Sequence, residues 1–191
     1  MKYDKSYLRN KFILKRKKNY LKVRKHNFNL IFKLIFKHFN KRKITIAGYY
    51  PSNYEVNILN FLKKAAEKNF KIALPVIKSA KSMNFKLWIY RDPLCLNKFG
   101  ILEPEQSIAE HIPDLILVPL VAFDKKLNRI GYGKGYYDRS LRKIKKIKKN
   151  TIFLGIAYSF QKSKNIPINR YDFKLDYIFT ERGLISANNK L

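Results

Sequence analysis

Residues 120–141 read LVAFDKKLNRIGYGKGYYDRSL, and they place three glycines at alternate positions around a lysine. The apolar run at residues 115–119 predicts a buried strand, and the residues after the glycines predict a helix. Glycines let the backbone approach an anion closely, and a helix N-terminus adds a partial positive charge. The stretch therefore predicts an α/β fold in which a strand, a loop and a helix together hold a phosphate group.

This loop matches neither of the two commonest phosphate-binding motifs. A Walker A loop ends in Gly-Lys-Ser/Thr, but no serine or threonine follows Lys134. The third glycine comes one residue too early for the dinucleotide motif G-x-G-x-x-G. The glycines could simply form a tight turn, but the gathering of Arg129, Lys134 and Asp138 around them favours a ligand site.

Strands alternate with helices along the rest of the chain. We predict a single three-layer α/β/α domain over residues 1–191, with a mostly parallel sheet and an N-terminal helical segment. Because ligands bind beyond the carboxyl ends of such strands, the loops at residues 48–55, 121–137 and 158–172 should meet at one crevice. Helices are predicted at residues 5–39 (one long or two shorter), 54–69 and 135–148, and strands at 43–48, 71–75, 84–90, 114–119, 151–158 and 175–180. Apolar side chains predicted to face inward include Leu8, Phe12, Leu14, Leu21, Phe85, Leu87 and Ile89.

The composition is that of a compact protein in a reducing compartment. Hydrophobic residues make up 46% of the chain and aromatic residues 15%, which excludes a disordered chain. The single cysteine, Cys95, cannot form an intramolecular disulfide and lies between leucines, so we predict a core thiol in a cytoplasmic protein. No apolar run reaches the length of about 18 residues that a transmembrane helix needs. Residues 28–39 predict an amphipathic helix packed on the domain, with a membrane-surface helix as the alternative.

The formal net charge is +29, from 42 Lys and Arg against 13 Asp and Glu. Such a charge is typical of proteins that bind nucleic acids or anionic membranes. The basic residues are spread along the whole chain, however, and runs such as residues 15–18 and 142–149 predict solvent-exposed helix faces. We therefore predict no obligatory nucleic-acid partner and no membrane. A basic nucleic-acid-binding protein stays as one alternative, and another phosphate-handling α/β enzyme, such as a phosphosugar isomerase, as a second.

The pattern A-F-D-x-x-x-N-R-x-G-x-G-K-G-Y-Y-D at residues 122–138 resembles the signature of the 5-formyltetrahydrofolate cyclo-ligase, or methenyltetrahydrofolate synthetase, family. Shorter segments support the resemblance in the same order along the chain. They are K-x-x-L-R at residues 5–9, Y-x-P-x-x-x-E-V at 49–56, G-I-x-E-P at 100–104, and the series Gln161, Pro167 and Asp172.

The resemblance implies an enzyme that converts 5-formyltetrahydrofolate and ATP into 5,10-methenyltetrahydrofolate, ADP and phosphate, with Mg²⁺ as cofactor. The γ-phosphoryl group would move to the formyl oxygen to give an iminium phosphate, which then closes the ring as phosphate leaves. Positioning and charge stabilisation by the protein would suffice for this chemistry. We expect a monomer whose folate substrate can carry a polyglutamate tail.

The resemblance also assigns roles to single residues. Lys134 and Arg129 should be catalytic, because they would counter the charge of the transferring phosphoryl group. The Asp138 and Asp172 carboxylates should hold Mg²⁺. The residues expected to bind ATP are Lys5, Arg9, Arg129, Ile130, Gly131, Tyr132, Gly133, Lys134, Gly135, Tyr136 and Tyr137. Those expected to bind the folate are Tyr50, Glu55, Tyr132, Gly133, Lys134, Gly135 and Tyr136.

Some of these side chains also have simpler interpretations. Glu55 could bind the pteridine ring or merely begin a helix at Tyr54. Trp88 could stack on a folate ring, although a core position on a strand is favoured. The three histidines, His26, His38 and His111, lie outside the family motifs, and we predict surface or capping roles for all of them.

Overall fold

The computed structural model describes residues 4–23, 26–40, 42–105 and 107–187. Its helices are α1 (Lys5–Asn19), α2 (Asn29–Phe39), α3 (Leu59–Glu67) and α4 (Tyr136–Ile147), with short 3-10 turns at Tyr20–Lys22 and Ser159–Gln161. Its strands are β1 (Thr45–Ala47), β2 (Lys71–Ser79), β3 (Ser82–Leu87), β4 (Cys95–Leu96), β5 (Leu102–Glu103), β6 (Leu115–Pro119), β7 (Ala122–Phe123), β8 (Arg129–Ile130), β9 (Ile152–Ile156), β10 (Tyr177–Thr180) and β11 (Gly183–Ser186).

The central sheet has seven strands in the order β11-β10-β9-β6-β1-β2-β3. Its five inner strands run parallel, and each edge strand pairs antiparallel with its neighbour. From β1 the chain builds the sheet outward to β3, and then returns through β6 to build the other half. The direction of winding therefore reverses between β1 and β6, where sheets of this kind bind ligands. The predicted mostly parallel sheet is confirmed.

Helices cover both faces of this sheet. On one face, α2 and α3 pack together through Phe32 and Phe61, whose ring centroids lie 5.0 Å apart. On the other face, Leu141 and Ile144 of α4 share an apolar cluster with Phe153 of β9. The predicted three-layer α/β/α arrangement is thus confirmed, while the predicted domain bounds extend beyond the described residues.

The first helix packs outside the three layers, against the small β7–β8 hairpin. Leu8 and Phe12 form a separate apolar cluster with Ala122 of β7 and Ile130 of β8. The Asp4 carboxylate caps the helix, because it accepts a 2.9 Å hydrogen bond from a backbone N–H of the first turn. This packing brings α1 alongside the glycine loop, which follows β8.

The N-terminal segment contains two helices, and the predicted inward face was wrong for two leucines. Leu14 and Leu21 are 60% and 80% exposed. Residues four apart lie on one side of a helix, and α1 buries Leu8, Phe12 and Arg16 in that spacing. The second helix, α2, packs on the domain as predicted, through buried residues that include Ile31 and Ile35. Within the described ranges, no helix has the length and apolarity needed to cross a membrane.

The third helix begins at Leu59, so the predicted start at Tyr54 was wrong. Asn53 and Tyr54 have φ angles of 46° and 62°, in the left-handed region, which makes a tight turn and excludes a right-handed helix there. The side chain of Asn57 then accepts a 3.0 Å hydrogen bond from the Leu59 N–H. Glu55 is therefore a loop residue, not the first acid of a helix.

The edges of the sheet differ most from the predicted strands. The β2–β3 hairpin is longer than expected, and Met83 and Phe85 supply its buried face. Ile89, which was predicted to face inward, is 73% exposed because β3 ends before it, and Leu87 is only partly buried. The antiparallel strand β11 was not predicted. Cys95 is exposed on the separate β4–β5 hairpin, so its predicted core position was wrong.

Trp88 is buried in the core, as the favoured interpretation predicted, but His26 does not lie on the surface. The His26 Nε2 atom donates a 3.1 Å hydrogen bond to the Ala157 carbonyl oxygen. Its ring packs against the aromatic rings of Phe28 and Phe179. Burial lowers the pKa of His26 below its ordinary value of 6.5.

We expect the buried His26 to make the protein less stable as the pH falls below about 6.5, because the unfolded chain then takes up a proton that the folded chain resists. Urea unfolding of the parent and of His26→Gln, between about pH 7.5 and pH 5.5, measures this effect. The His26→Gln variant should show a smaller loss of unfolding free energy on acidification. Lys18→Gln, which removes an exposed side chain that does not titrate in this range, should keep the parental pH dependence. Equal pH dependence in the parent and His26→Gln would contradict the assignment.

Candidate active site

A cavity of about 670 Å³ lies at the carboxyl ends of β1 and β6. All three loops that were predicted to meet at one crevice contribute to its lining. The structure also brings together every residue to which the resemblance assigned a ligand: Lys5, Arg9, Tyr50, Glu55, Arg129, Ile130, Gly131, Tyr132, Gly133, Lys134, Gly135, Tyr136, Tyr137, Asp138 and Asp172. Their roles stay predictions, but their convergence makes a single site.

The glycine loop has a backbone conformation that favours glycine at two positions. Gly133 and Gly135 have φ angles of 99° and 68°, which glycine adopts at little cost. A Cβ atom on Gly133 would lie 3.2 Å from the guanidinium carbon of Arg9. Arg9 itself donates a 2.9 Å hydrogen bond from Nε to the Gly131 carbonyl oxygen. The loop is thus pressed against α1, and α4 begins directly after it.

Lys134 is exposed at the tip of this loop. Its ammonium lies 3.9 Å from the centroid of the Phe99 ring. Among the described residues no carboxylate pairs with it. A cation held only by an exposed aromatic face is weakly bound, at about 0.5–1 kcal/mol. Lys134 can therefore turn to a negatively charged ligand at little cost.

Arg129, by contrast, is engaged with Asp138. Its Nη2 lies 2.8 Å from Oδ1 of Asp138, and its side chain is only 3% exposed. The same Oδ1 accepts a 3.0 Å hydrogen bond from the Phe173 N–H. The guanidinium also lies over the Tyr137 ring. These contacts fix the Asp138 carboxylate and leave its Oδ2 without a hydrogen-bond partner among the described residues.

Lys5 and Asp172 form a second ion pair at the cavity. The Lys5 Nζ lies 2.6 Å and 2.5 Å from the two carboxylate oxygens of Asp172. Oδ2 of Asp172 also accepts a 2.6 Å hydrogen bond from the Asn169 N–H. The pair joins α1 to the loop before β10.

The two aspartates fit a magnesium ion that is held mainly by other ligands. Mg²⁺ prefers hard oxygen donors and usually keeps several waters or phosphate oxygens beside one or two carboxylates. Oδ2 of Asp138 has no hydrogen-bond partner among the residues that the structure describes, whereas Asp172 is paired with Lys5. The described part of the chain holds no group of three or more Asp, Glu, His or Cys side chains that could enclose a metal ion. The donor set thus suits an ion that arrives with nucleotide phosphates.

At the other side of the cavity, the Glu55 carboxylate accepts a 3.4 Å hydrogen bond from the Ser52 hydroxyl and two shorter ones. One, of 3.0 Å, comes from the Ser52 N–H, and the other, of 3.0 Å, from the Tyr132 hydroxyl. Burial raises the pKa of the Glu55 carboxyl, and the nearby Arg16 guanidinium opposes the rise. Arg16 belongs to the run at residues 15–18, which was predicted to be a solvated face. That prediction was wrong for Arg16, which is 1% exposed.

One wall of the cavity was not predicted. It comes from the β2–β3 hairpin and the segment after it, and includes Met83, Phe99 and Glu103. The buried Glu103 carboxylate accepts hydrogen bonds from the Ile77 N–H, at 3.1 Å, and from the Asn97 side chain, at 2.9 Å. Glu103 lies in the recognised G-I-x-E-P segment, so the motif was a usable signal, but its place beside the cavity depends on hairpin geometry.

The buried Gln161 side chain connects two segments of the chain that lead into the site. Its Nε2 donates hydrogen bonds of 2.9 Å and 2.8 Å to the carbonyl oxygens of Leu120 and Val121. Its Oε1 accepts a 2.8 Å hydrogen bond from the Tyr158 N–H. This buried side chain therefore ties the segment after β9 to the start of the glycine-loop segment.

The chain is similar to known enzymes over most of its length. A model of the 5-formyltetrahydrofolate cyclo-ligase family matches residues 1–181. A 5-formyltetrahydrofolate cyclo-ligase of Haemophilus influenzae is 33% identical over 136 residues, which cover 68% of this chain and 72% of the relative. Another, of Mycoplasma pneumoniae, is 33% identical over 138 residues, covering 72% and 73%.

Solved structures agree with the family match. The 5,10-methenyltetrahydrofolate synthetase of Aquifex aeolicus superposes with a TM-score of 0.78 at 27% identity, covering 98% of this chain and 94% of that one. The corresponding enzyme of Mycoplasma pneumoniae gives a TM-score of 0.69 at 27% identity, covering 94% and 99%. Family model, sequence relatives and structures point the same way: the chain belongs to the 5-formyltetrahydrofolate cyclo-ligase family.

Proposed function

We propose that the cavity converts 5-formyltetrahydrofolate and ATP into 5,10-methenyltetrahydrofolate, ADP and phosphate. The observation that carries this proposal is the pairing of two unlike sites in one cavity, in a member of this enzyme family. A glycine loop with nearby cations suits nucleotide phosphates, and a partly desolvated carboxylate suits the N–H groups of a pterin ring. The cavity volume of about 670 Å³ is in the usual range for small-molecule sites.

The proposed chemistry requires activation of a poor leaving group. The oxygen of the N5-formyl group cannot leave as such, so the γ-phosphoryl group of ATP is first transferred to it and ADP departs. The neighbouring N10 nitrogen then attacks the formyl carbon, the C–O bond to the phosphorylated oxygen breaks, and phosphate leaves as the proton on N10 is lost. This sequence needs no covalent bond to the protein.

The protein's part in this reaction is positioning and charge stabilisation. The glycine loop and Arg9 hold the phosphates, and Lys134 turns from Phe99 toward the transferring group. Arg129 keeps the Asp138 carboxylate in place. When bound with the nucleotide, Mg²⁺ would supply further charge neutralisation, and Asp138 and Asp172 are the residues that would hold it.

On the folate side, we propose that Glu55 and Tyr50 contact the pterin ring. An ionised carboxylate that accepts N–H groups forms charge-assisted hydrogen bonds, which are about twice as strong as neutral ones. Family membership favours this function over the two alternatives of a nucleic-acid-binding protein and a phosphosugar isomerase.

We further propose a cytoplasmic, monomeric enzyme that can use polyglutamylated folate. A cytoplasmic location is supported by Cys95, which is exposed and unpaired and so would persist as a thiol in a reducing compartment. The monomeric state and the use of polyglutamylated folate stay predictions. Part of the net charge of +29 would favour capture of such a polyanionic tail.

We expect the purified protein to form a product with the near-ultraviolet absorbance of a methenyltetrahydrofolate only when ATP and a divalent metal are both present. The reason is that phosphoryl transfer must precede ring closure. The assay follows absorbance after mixing protein, 5-formyltetrahydrofolate and Mg·ATP, with matched samples that lack ATP, metal or protein. Product formation at an equal rate without ATP would contradict the phosphorylation step, and no product in the complete mixture would contradict the function.

A further inference from the structure

Arg16 is a buried cation that no acidic side chain of the described residues contacts directly. Its side chain lies in the last turn of α1 and is 1% exposed. Nη1 donates a 3.3 Å hydrogen bond to the Leu120 carbonyl oxygen, and Nη2 donates to the Tyr132 hydroxyl. Nε has no hydrogen-bond partner among the described residues. Burial of an incompletely paired guanidinium is unfavourable, so a purely structural reason for Arg16 is weak.

The Tyr132 hydroxyl connects Arg16 to Glu55. It accepts from the guanidinium and donates a 3.0 Å hydrogen bond to Oε1 of Glu55. The guanidinium also lies 5.6 Å from the centroid of the Tyr132 ring. A phenol that accepts from a cation becomes a stronger donor to a carboxylate. The Arg16 guanidinium, the Tyr132 phenol and the Glu55 carboxylate therefore form one chain of hydrogen bonds from α1 to the cavity.

Apart from Arg16, the described titratable groups that interact electrostatically with Glu55 are tyrosines. Tyr49, Tyr137 and Tyr158 are the titratable neighbours that the Glu55 charge affects, and burial raises the pKa of each phenol. They are neutral at pH 7 and cannot balance a carboxylate. Burial raises the pKa of Glu55 itself, whereas the Ser52 N–H, Arg16 and the Tyr132 hydroxyl lower it. Among these groups, Arg16 is the cation.

We propose that Arg16 is a positioning residue of the folate site: through Tyr132, it holds the Glu55 carboxylate ionised and aimed at the N–H groups of the pterin ring. This inference rests on the proposed function, because it names the ligand that Glu55 meets. Arg16 does not line the cavity itself, and it would act on the folate through Tyr132 and Glu55. Lys5 and Arg9 of the same helix line the cavity directly, on the proposed nucleotide side.

The proposal predicts an effect on folate that is separate from any effect on ATP. In Arg16→Met, Glu55 loses the cation that favours its charged form, so we expect KM for the folate to rise about tenfold while KM for ATP stays within about twofold. Tyr132→Phe removes the hydroxyl that bonds to both Arg16 and Glu55, so it should raise the folate KM by a similar factor. The double variant should be no worse than about the larger single effect, because both changes interrupt one connection.

A second measurement does not depend on turnover. The chain has only 13 Asp and Glu residues, so the Glu55 carboxyl carbon can be followed by ¹³C NMR and assigned with Glu55→Gln. We expect the pKa of Glu55 to be higher in Arg16→Met and in Tyr132→Phe than in the parent, and Arg16→Lys to restore it partly. Lys17→Met is the matched control, because it removes one exposed charge from the same helix. It should leave both the titration and the folate KM unchanged.

These outcomes separate the two proposals. If the parent shows no cyclo-ligase activity, the proposed function fails, while the Glu55 titration still tests the connection. If folded Arg16→Met keeps the parental titration and folate KM, the role of Arg16 is overturned. Should Arg16→Met fail to fold, Tyr132→Phe decides, since it leaves the guanidinium in place: an unchanged Glu55 titration in that variant also overturns the proposal.

Discussion

The Lys134→Ala variant should lose about 2–4 kcal/mol of transition-state stabilisation, which corresponds to a kcat lower by roughly 30- to 1,000-fold. Lys134 stands at the tip of the glycine loop, and its ammonium rests on the Phe99 ring with no carboxylate partner among the described residues. It is thus free to meet the phosphoryl group as charge develops there. Because this interaction strengthens in the transition state, kcat should fall more than KM for ATP rises.

Steady-state kinetics with the methenyl absorbance assay measure this loss, and Lys125→Ala is the matched control. Lys125 carries the same charge, lies exposed on the turn between β7 and β8, and does not line the cavity. Its replacement should leave kcat near the parental value. A folded Lys134→Ala enzyme with near-normal turnover would show that Lys134 is an ordinary surface lysine.

The Asp138→Asn and Asp172→Asn variants should each raise the Mg²⁺ concentration needed for half-maximal activity, by about tenfold or more. Each change removes one negative charge and keeps the size of the side chain. Binding of the folate alone should be nearly unchanged, because we propose that both aspartates act on the nucleotide and its metal ion. The double variant should fall short of the product of the two effects, since both residues act on one ion.

The metal titrations of the two aspartate variants should be compared with each other, because the two carboxylates have different contacts. Beside its pair with Arg129, Asp138 keeps one oxygen without a hydrogen-bond partner in the described part of the chain, whereas both oxygens of Asp172 contact Lys5. A metal titration that shifts in Asp138→Asn but not in Asp172→Asn would make Asp172 the counter-ion of Lys5 alone. Asp92→Asn, at an exposed position outside the cavity, serves as the control and should match the parent.

Local patterns were enough to predict the centre of the fold. The buried strand β6 and helix α4 are correct because an apolar run, three glycines and an amphipathic segment follow one another within about thirty residues. The strand–helix alternation likewise predicted the parallel sheet and the crevice at its carboxyl edge. Every residue that the resemblance placed at a ligand lines the cavity, because the family motifs fall on loops at that edge.

The rest of the site depends on contacts between distant segments, which a sequence pattern does not contain. Arg16 looks like one member of a basic run, and only the packing of α1 on the β7–β8 hairpin buries it. The helical spacing after Tyr54 correctly predicted a helix, but the left-handed turn at Asn53 and Tyr54 moves its start to Leu59. The G-I-x-E-P motif singled out Glu103, but it does not contain the hydrogen bond that Glu103 accepts from Ile77, 26 positions earlier in the chain.

The ion pair between Lys5 and Asp172 joins residues that are 167 positions apart. On a translating ribosome, Lys5 is made first, and its partner Asp172 follows 167 residues later. Until then the Lys5 ammonium lacks the carboxylate that it contacts in the folded protein, and this wall of the cavity stays incomplete. A nascent chain that ends before Asp172 therefore carries the glycine loop without this ion pair, so the pocket is completed only after both partners have been synthesised.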